Sequence, residues 1–247
     1  MFKKLIMMLK IAIFMSLFVI IGNGPQGPFL NESQASFIKK NRTSNANQFQ
    51  LSALANRKFF EYSQTRLPKW RKHFKKYAHK YEMPWTLLAA VAYQESKWDH
   101  EARSYTGVRG LMQITTSTAK HLGIEDREDP EQSIHGAAIY LKYLYDKTQP
   151  TFSTYERWTH ALAAYNMGWA HLRDARKLAV DLNYNPYRWR EFKRVIPKLE
   201  QEKYYSKLTF GFARGRETVD FVDSVLGYYE LLNATTSTRP LLTSRDF

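Results

Sequence analysis

The chain contains no cysteine. This excludes disulfides, thiol nucleophiles, thiolate-held metals and amino-terminal lipidation through cysteine. Its seven histidines show no paired ligand spacing of the kind zinc sites use, so neither a metal nor any other cofactor is expected. Internal repeats are absent and strand signals are sparse, so the sequence predicts at most a small hairpin around residues 103–114. Acidic residues are also scarce, with 23 Asp and Glu against 37 Lys and Arg, a net charge of +14. At 247 residues there is room for one good hydrophobic core and little for a second. The expected fold is therefore mainly α, a single domain of packed helices.

What is present divides the chain into four stretches. Residues 1–22 carry Lys3 and Lys4 ahead of an apolar run from Leu5 to Ile21, broken by Lys10. The uninterrupted part, Ile11 to Ile21, suits a signal h-region and falls short of the ~20 residues that span a bilayer. The segment reads either as a cleaved signal peptide or as an uncleaved anchor in the inner membrane. Both readings export the remainder to the periplasm or cell envelope. Residues 23–60 are rich in Asn, Ser and Gln and read as a flexible linker. Residues 61–235 form the expected folded domain, and 236–247 a carboxyl-terminal tail.

Within the domain, Leu67 to Lys80 is a basic segment with Trp70, Phe74, Tyr77 and Ala78 at helical spacing. Further helices are expected at 84–98, 116–122, 130–147, 154–167, 169–181 and 216–232. The 130–147 helix is the best signalled, with Asp129 as cap, Pro130 at its first position and Ile134, Ala138, Leu141 and Tyr145 on one face.

The glutamate at position 95 stands out. In a helix opened by Pro84, Leu88, Val91, Glu95 and Trp98 fall at i, i+3, i+7 and i+10, on one face. A carboxyl on an apolar face is withdrawn from water, which disfavours its charged form and raises its pKa. Such a group can hold a proton near neutral pH and deliver it to a leaving group. The plainer alternative is a border carboxylate that reaches out to solvent, since perturbed carboxylates also occur without catalysis.

Three further segments weigh against that alternative. Gly107-Val108-Arg109-Gly110-Leu111-Met112-Gln113-Ile114 places two glycines three apart, a sign of close backbone approach. Ala163-Ala164-Tyr165-Asn166-Met167-Gly168 ends a helix that Ser153 and Glu156 open as a capping box, with Gly168 as a left-handed terminator. The third runs from Lys203-Tyr204-Tyr205-Ser206 through Glu217-Thr218-Val219-Asp220-Phe221-Val222. Singly these are weak: a Met is most often core, and an Asn near a helix end most often a local cap.

In this order and spacing, Glu95-Ser96, Gly-Leu-Met-Gln and Ala-Tyr-Asn resemble the signature of lytic transglycosylases with a soluble-lytic-transglycosylase domain, related in fold to goose-type lysozyme. The resemblance runs from about Leu67 to about Leu232. It implies an α+β lysozyme-like domain acting on peptidoglycan glycan strands, with Glu95 as the one catalytic residue. Ser96, Met112, Gln113, Tyr165, Asn166 and Tyr204 would bind substrate: Ser96 near Glu95 or an N-acetyl group, the amides on sugar hydroxyls, Met112 and Tyr165 on pyranose faces. One departure is Phe221, where the family tends to have tyrosine; the ring is kept and the hydroxyl lost.

The resemblance implies cleavage of the β-1,4 bond between N-acetylmuramic acid and N-acetylglucosamine without water, leaving 1,6-anhydro ends. Two other readings stay open. A lysozyme-type hydrolase would cut the same bond with an activated water, and a non-catalytic wall-binding protein would have kept only the groove. Glycosidases commonly need a second carboxyl, and the nearest in sequence, Asp99 and Glu101, come with no motif that places them opposite Glu95. The basic stretch Lys69, Arg71, Lys72, Lys75, Lys76, Lys80 would attract polyanions. Export removes most of the case for nucleic acid, leaving anionic lipid and carboxylate-bearing wall, or simply a solvated face.

Overall fold

A computed structural model describes residues 53–236, with side chains placed from residue 57 onward. The expected signal or anchor segment and nearly all of the tail lie outside the described residues. The regular elements of the described chain are all helical: α1 (Ala53–Thr65), α2 (Leu67–Lys80), α3 (Trp85–Ser96), α4 (Thr116–His121), α5 (Pro130–Asp146), α6 (Thr154–Met167), α7 (Trp169–Asp181), α8 (Trp189–Phe192), a 3₁₀ turn (Ile196–Glu200), α9 (Glu202–Tyr205) and α10 (Gly215–Thr236). No strand forms among the described residues. At the hairpin expected around 103–114 there is one antiparallel bridge, Arg103 to Arg109.

The helix limits follow local chemistry where caps exist. The Asp129 side chain accepts from the Gln132 amide at 2.8 Å and Pro130 is the first helical residue of α5. Ser153 caps α6 by accepting from the Glu156 amide. The expected capping box is only half made, because the Glu156 carboxylate instead accepts from the Trp189 amide at 2.6 Å and so anchors α8. Gly168 has φ 89 and ψ 144, not the left-handed helical values expected of it. That extended, positive-φ region is open essentially to glycine alone, and it lets α7 begin directly after α6.

One element was hidden by composition. Helix α1 starts at Ala53, inside the stretch 23–60 read as linker, and its Phe59 and Phe60 are buried. Phe59 stacks on Tyr228 of α10 and meets Tyr93 of α3 edge-on, at 5.2 and 4.9 Å between ring centres. A few large rings in a polar run suffice to dock a helix when they fall on one face.

Helix α3 is the centre of the molecule, packed between α2 and α10 with α5 alongside. Every residue from Thr86 to Tyr93 is buried, so the helix has no polar face until its last turn. It is shorter than the expected 84–98: Pro84 precedes the first turn, and Lys97 and Trp98 both adopt left-handed backbone (φ 57 and 58). Trp98 therefore reaches the core from outside the helix, its indole donating to the Ala89 carbonyl at 2.8 Å.

Candidate active site

The catalytic candidate stands where α3 stops being buried all round. Glu95 lines a cleft of about 280 Å³ whose other walls come from the 104–118 loop and α4, from α5, from the end of α6 and from the start of α10. Burial raises its pKa to about 8; Lys97 opposes that rise and Glu217 adds to it. No cation lies within ion-pair distance of its carboxyl among the described residues. The Lys97 amine instead hangs over the rings of Tyr93 and Tyr228, at 4.6 and 5.5 Å, and burial lowers its own pKa to about 8. The site thus offers a carboxyl that is protonated near neutrality and faces an open cavity.

Gln113 and Asn166 share this cleft, one on each side. Gln113 has a left-handed backbone (φ 48), and its amide nitrogen donates to the carbonyls of Gly110 at 2.8 Å and Ala102 at 3.1 Å. Both N–H groups are spent on the loop, which leaves the amide oxygen for a ligand. Asn166 is set the other way: its oxygen accepts from the buried Thr218 hydroxyl at 2.7 Å, which leaves its NH₂ to donate. The two amides thus present an acceptor and a donor across one cavity.

Tyr165 also lines the cleft, and its hydroxyl donates to the Met112 carbonyl at 2.9 Å. Burial, then the nearby Glu95 charge, pushes that phenol well above its ordinary value, so it stays neutral. Its ring lies parallel to Phe221 of α10, with centres 6.3 Å apart. Phe221 is buried there, and no hydroxyl from Tyr204 or Tyr205 reaches the cleft in its place.

Three of the sequence-derived site residues are used differently. Ser96 is buried; its hydroxyl lies 2.7 Å from the Leu111 carbonyl and 3.0 Å from that of Ala92. It clamps the end of α3 to the Gly-Leu-Met-Gln loop and does not touch Glu95 or line the cleft. The Met112 side chain is wholly buried in the core and offers no surface to a sugar, while its backbone carbonyl holds Tyr165. Tyr204, on α9, packs at the edge of the core under Lys198 and Lys203 and is not part of the cavity wall.

Several wall residues carried no recognisable signal. Ser104, Thr106, Thr115 and Thr118 supply hydroxyls along the loop side, and Tyr140 of α5 lies 5.7 Å from Tyr165. Tyr140 sits just off the apolar stripe of α5, and that position beside a stripe is the one hint available. Glu217 is the carboxylate that the sequence offered only as part of a late motif. It lines the same cleft as Glu95 and pairs with Arg214 at 3.5 Å. Asp99, by contrast, is turned toward Arg66 at 3.6 Å because the helix ends before it. No cluster of three or more His, Asp or Glu suited to a metal occurs among the described residues.

Comparison with known proteins addresses the same stretch of chain. Residues 72–187 match the family model described as the transglycosylase SLT domain. This chain carries an SLT domain. The chain is 47% identical over 178 residues to membrane-bound lytic murein transglycosylase F of Pseudomonas fluorescens, covering 72% of this chain and 37% of that protein. The namesake from Shewanella loihica is 47% identical over 176 residues, covering 71% and 37%. The chain thus spans little more than a third of the length of these relatives. In fold, the SLT domain resembles the 70 kDa soluble lytic transglycosylase of Escherichia coli (TM-score 0.56, 23% identity, 78% of this chain and 29% of that one). It also resembles an inactive mutant of the lytic transglycosylase Slt from Pseudomonas aeruginosa (TM-score 0.52, 22% identity, 71% and 26%). The mainly α, lysozyme-like architecture expected from the sequence is the one found.

Proposed function

We propose that the chain is an exported lytic transglycosylase that cuts the β-1,4 bond between N-acetylmuramic acid and N-acetylglucosamine in peptidoglycan, without water. The observation that carries this reading is a single half-buried, unpaired carboxyl, Glu95, raised to about 8 and open to a cleft lined by amides and hydroxyls. The relatives' shared name, lytic murein transglycosylase, supports the substrate class.

In this mechanism Glu95 gives its proton to the glycosidic oxygen as the bond from that oxygen to the muramyl C1 breaks. The substrate's own N-acetyl oxygen offsets the positive charge that develops at C1. The carboxylate then takes the proton from the muramyl C6 hydroxyl, whose oxygen bonds to C1. The product is a 1,6-anhydromuramyl end, and Glu95 is reprotonated, ready for the next cycle. Gln113 and Asn166 orient the sugar through an acceptor and a donor, and Tyr165 supplies an apolar wall. The basic amino-terminal segment 1–22 supports export to the envelope, as signal peptide or anchor.

A hydrolytic reading draws on one observation, the presence of Glu217 in the same cleft. With Glu95 as acid, Glu217 would remove a proton from an attacking water, as in two-carboxylate glycosidases. Mass spectrometry of the muropeptides released from purified sacculi separates the two. Anhydro ends support the transglycosylase; reducing ends, heavier by one water, support the hydrolase. Binding to sacculi with no product at all would leave only a wall-binding protein.

A further inference from the structure

Outside the cleft, the most unusual surface is the exposed side of α2. Lys69, Arg71, Lys72, Lys75 and Lys80 project from it, all exposed, and none pairs with a carboxylate among the described residues. The acid that faces α2, Glu131, is already shared by Lys76 at 2.7 Å and His73 at 3.4 Å, and lies well below the usual carboxylate range, at about 2. Like charges crowded on one helix repel one another, so the arrangement costs folding stability and local structure does not account for it.

Arg71 and Lys75 border a depression of about 230 Å³ with Trp85, Thr235 and Thr236. The Lys75 amine lies 5.5 Å from the centre of the half-buried Trp85 ring. The carbonyl end of α10 draws cations to this place, which accounts for these two and not for Lys69, Lys72 or Lys80. A cationic face with a tryptophan at its edge is the composition that suits a membrane–water interface.

Its place in the fold matters. Helices α2 and α3 run antiparallel: Arg66 and Trp70 reach the carbonyls of Lys97 and Trp98 at one end, while Lys75 meets Trp85 at the other. Trp85 and Glu95 are ten residues apart on α3, or about 15 Å along its axis. The depression and the cleft therefore lie toward opposite ends of the central helix. A bilayer against the depression would leave the cleft, at the other end of α3, open.

We propose that the exposed face of α2, with Trp85 at its edge, docks on an anionic phospholipid surface and holds the cleft away from the bilayer. This holds whatever reaction the cleft performs. The cysteine-free chain makes the test direct: His79→Cys, on the same exposed face, is labelled with an environment-sensitive fluorophore in the full chain. The protein is reconstituted into vesicles of phosphatidylcholine alone or mixed with phosphatidylglycerol, so any insertion of residues 1–22 is common to both samples. The expected result is a blue shift with the mixed vesicles only, reversed by salt. It should be lost, with vesicle binding weakened at least about tenfold, when Arg71→Glu, Lys72→Glu and Lys75→Glu are combined. The melting temperature should not fall, since the reversal relieves like-charge repulsion on α2, and the digestion of sacculi in solution should be unchanged. Equal shifts with both lipids, a shift that survives charge reversal, or a response to purified sacculi in place of vesicles would overturn the proposal.

Discussion

Glu95 and Lys97 stand two residues apart at the end of the central helix, and burial drives both toward their neutral forms. The carboxyl is raised and the amine lowered, each to about 8, and each charge partly restores the other. The amine sits over Tyr93 and Tyr228 and does not pair with the acid. Lys97 therefore tunes the acid without quenching it.

Removing that cation should make Glu95 a still weaker acid. The rate of glycan cleavage should fall above about pH 8 as Glu95 loses its proton, and for Lys97→Met that limb is expected to move up. A pH–rate profile of both proteins checks this; an unmoved limb would mean that the lysine charge is not felt at the carboxyl.

Glu95→Gln should lower the rate of glycan cleavage by about 10²–10⁴-fold, the range of a general acid, while leaving the fold and sacculus binding intact. Its stability has a definite sign. A carboxyl raised in the folded state holds a proton that the unfolded chain has lost, so its contribution is full below the unfolded value and disappears as pH rises through the folded one. Between about pH 4.5 and 8 the native protein should lose stability relative to Glu95→Gln, which carries no titrating group. Urea unfolding of both at several pH values measures the difference.

Tyr165→Phe removes the hydrogen bond to the Met112 carbonyl and leaves a buried acceptor unsatisfied. We expect a cost of about 1–2 kcal/mol, read by urea unfolding, and a fall in kcat as the loop carrying Gln113 loosens.

Gly110 has φ 91, and a Cβ there would stand 2.5 Å from the Arg127 carbonyl oxygen. Gly110→Ala meets both backbone strain and a clash with main chain that cannot swing aside. It should destabilise the domain by about 2 kcal/mol or more, seen as a lowered melting temperature, and abolish cleavage. A gain in stability would show that the 107–114 loop is not held against 126–128.

Thr218→Val removes the donor that fixes the Asn166 oxygen. With the amide free to turn, KM for glycan should rise more than kcat falls, because the amide orients substrate without joining the proton transfer. Steady-state kinetics on soluble glycan fragments separates the two effects.

Much of this was legible in the sequence, and the reason is local chemistry. Asp129 and Pro130 fix the start of α5, and α6 and α7 coincide with the expected 154–167 and 169–181, because caps and periodicity act over a few residues. Glu95, Gln113, Tyr165 and Asn166 were each named from motifs and do meet in one cleft. Between 182 and 214 no element was foreseen: α8, the 3₁₀ turn and α9 are single turns, too short for periodicity to register.

By itself the sequence determined which motif side chains stand out as candidates and where the capped helices run, since both are written in short stretches of chain. Only the tertiary structure decided what each side chain does. Helix α3 ends at Ser96, so Trp98 packs from outside it and Asp99 turns to Arg66. Ser96 became a clamp and Met112 a core residue. Glu217, more than a hundred residues away in the chain, came to share the cavity of Glu95. Burial, and with it the proton on an acid, depends on neighbours that approach through space and leave no mark on local periodicity.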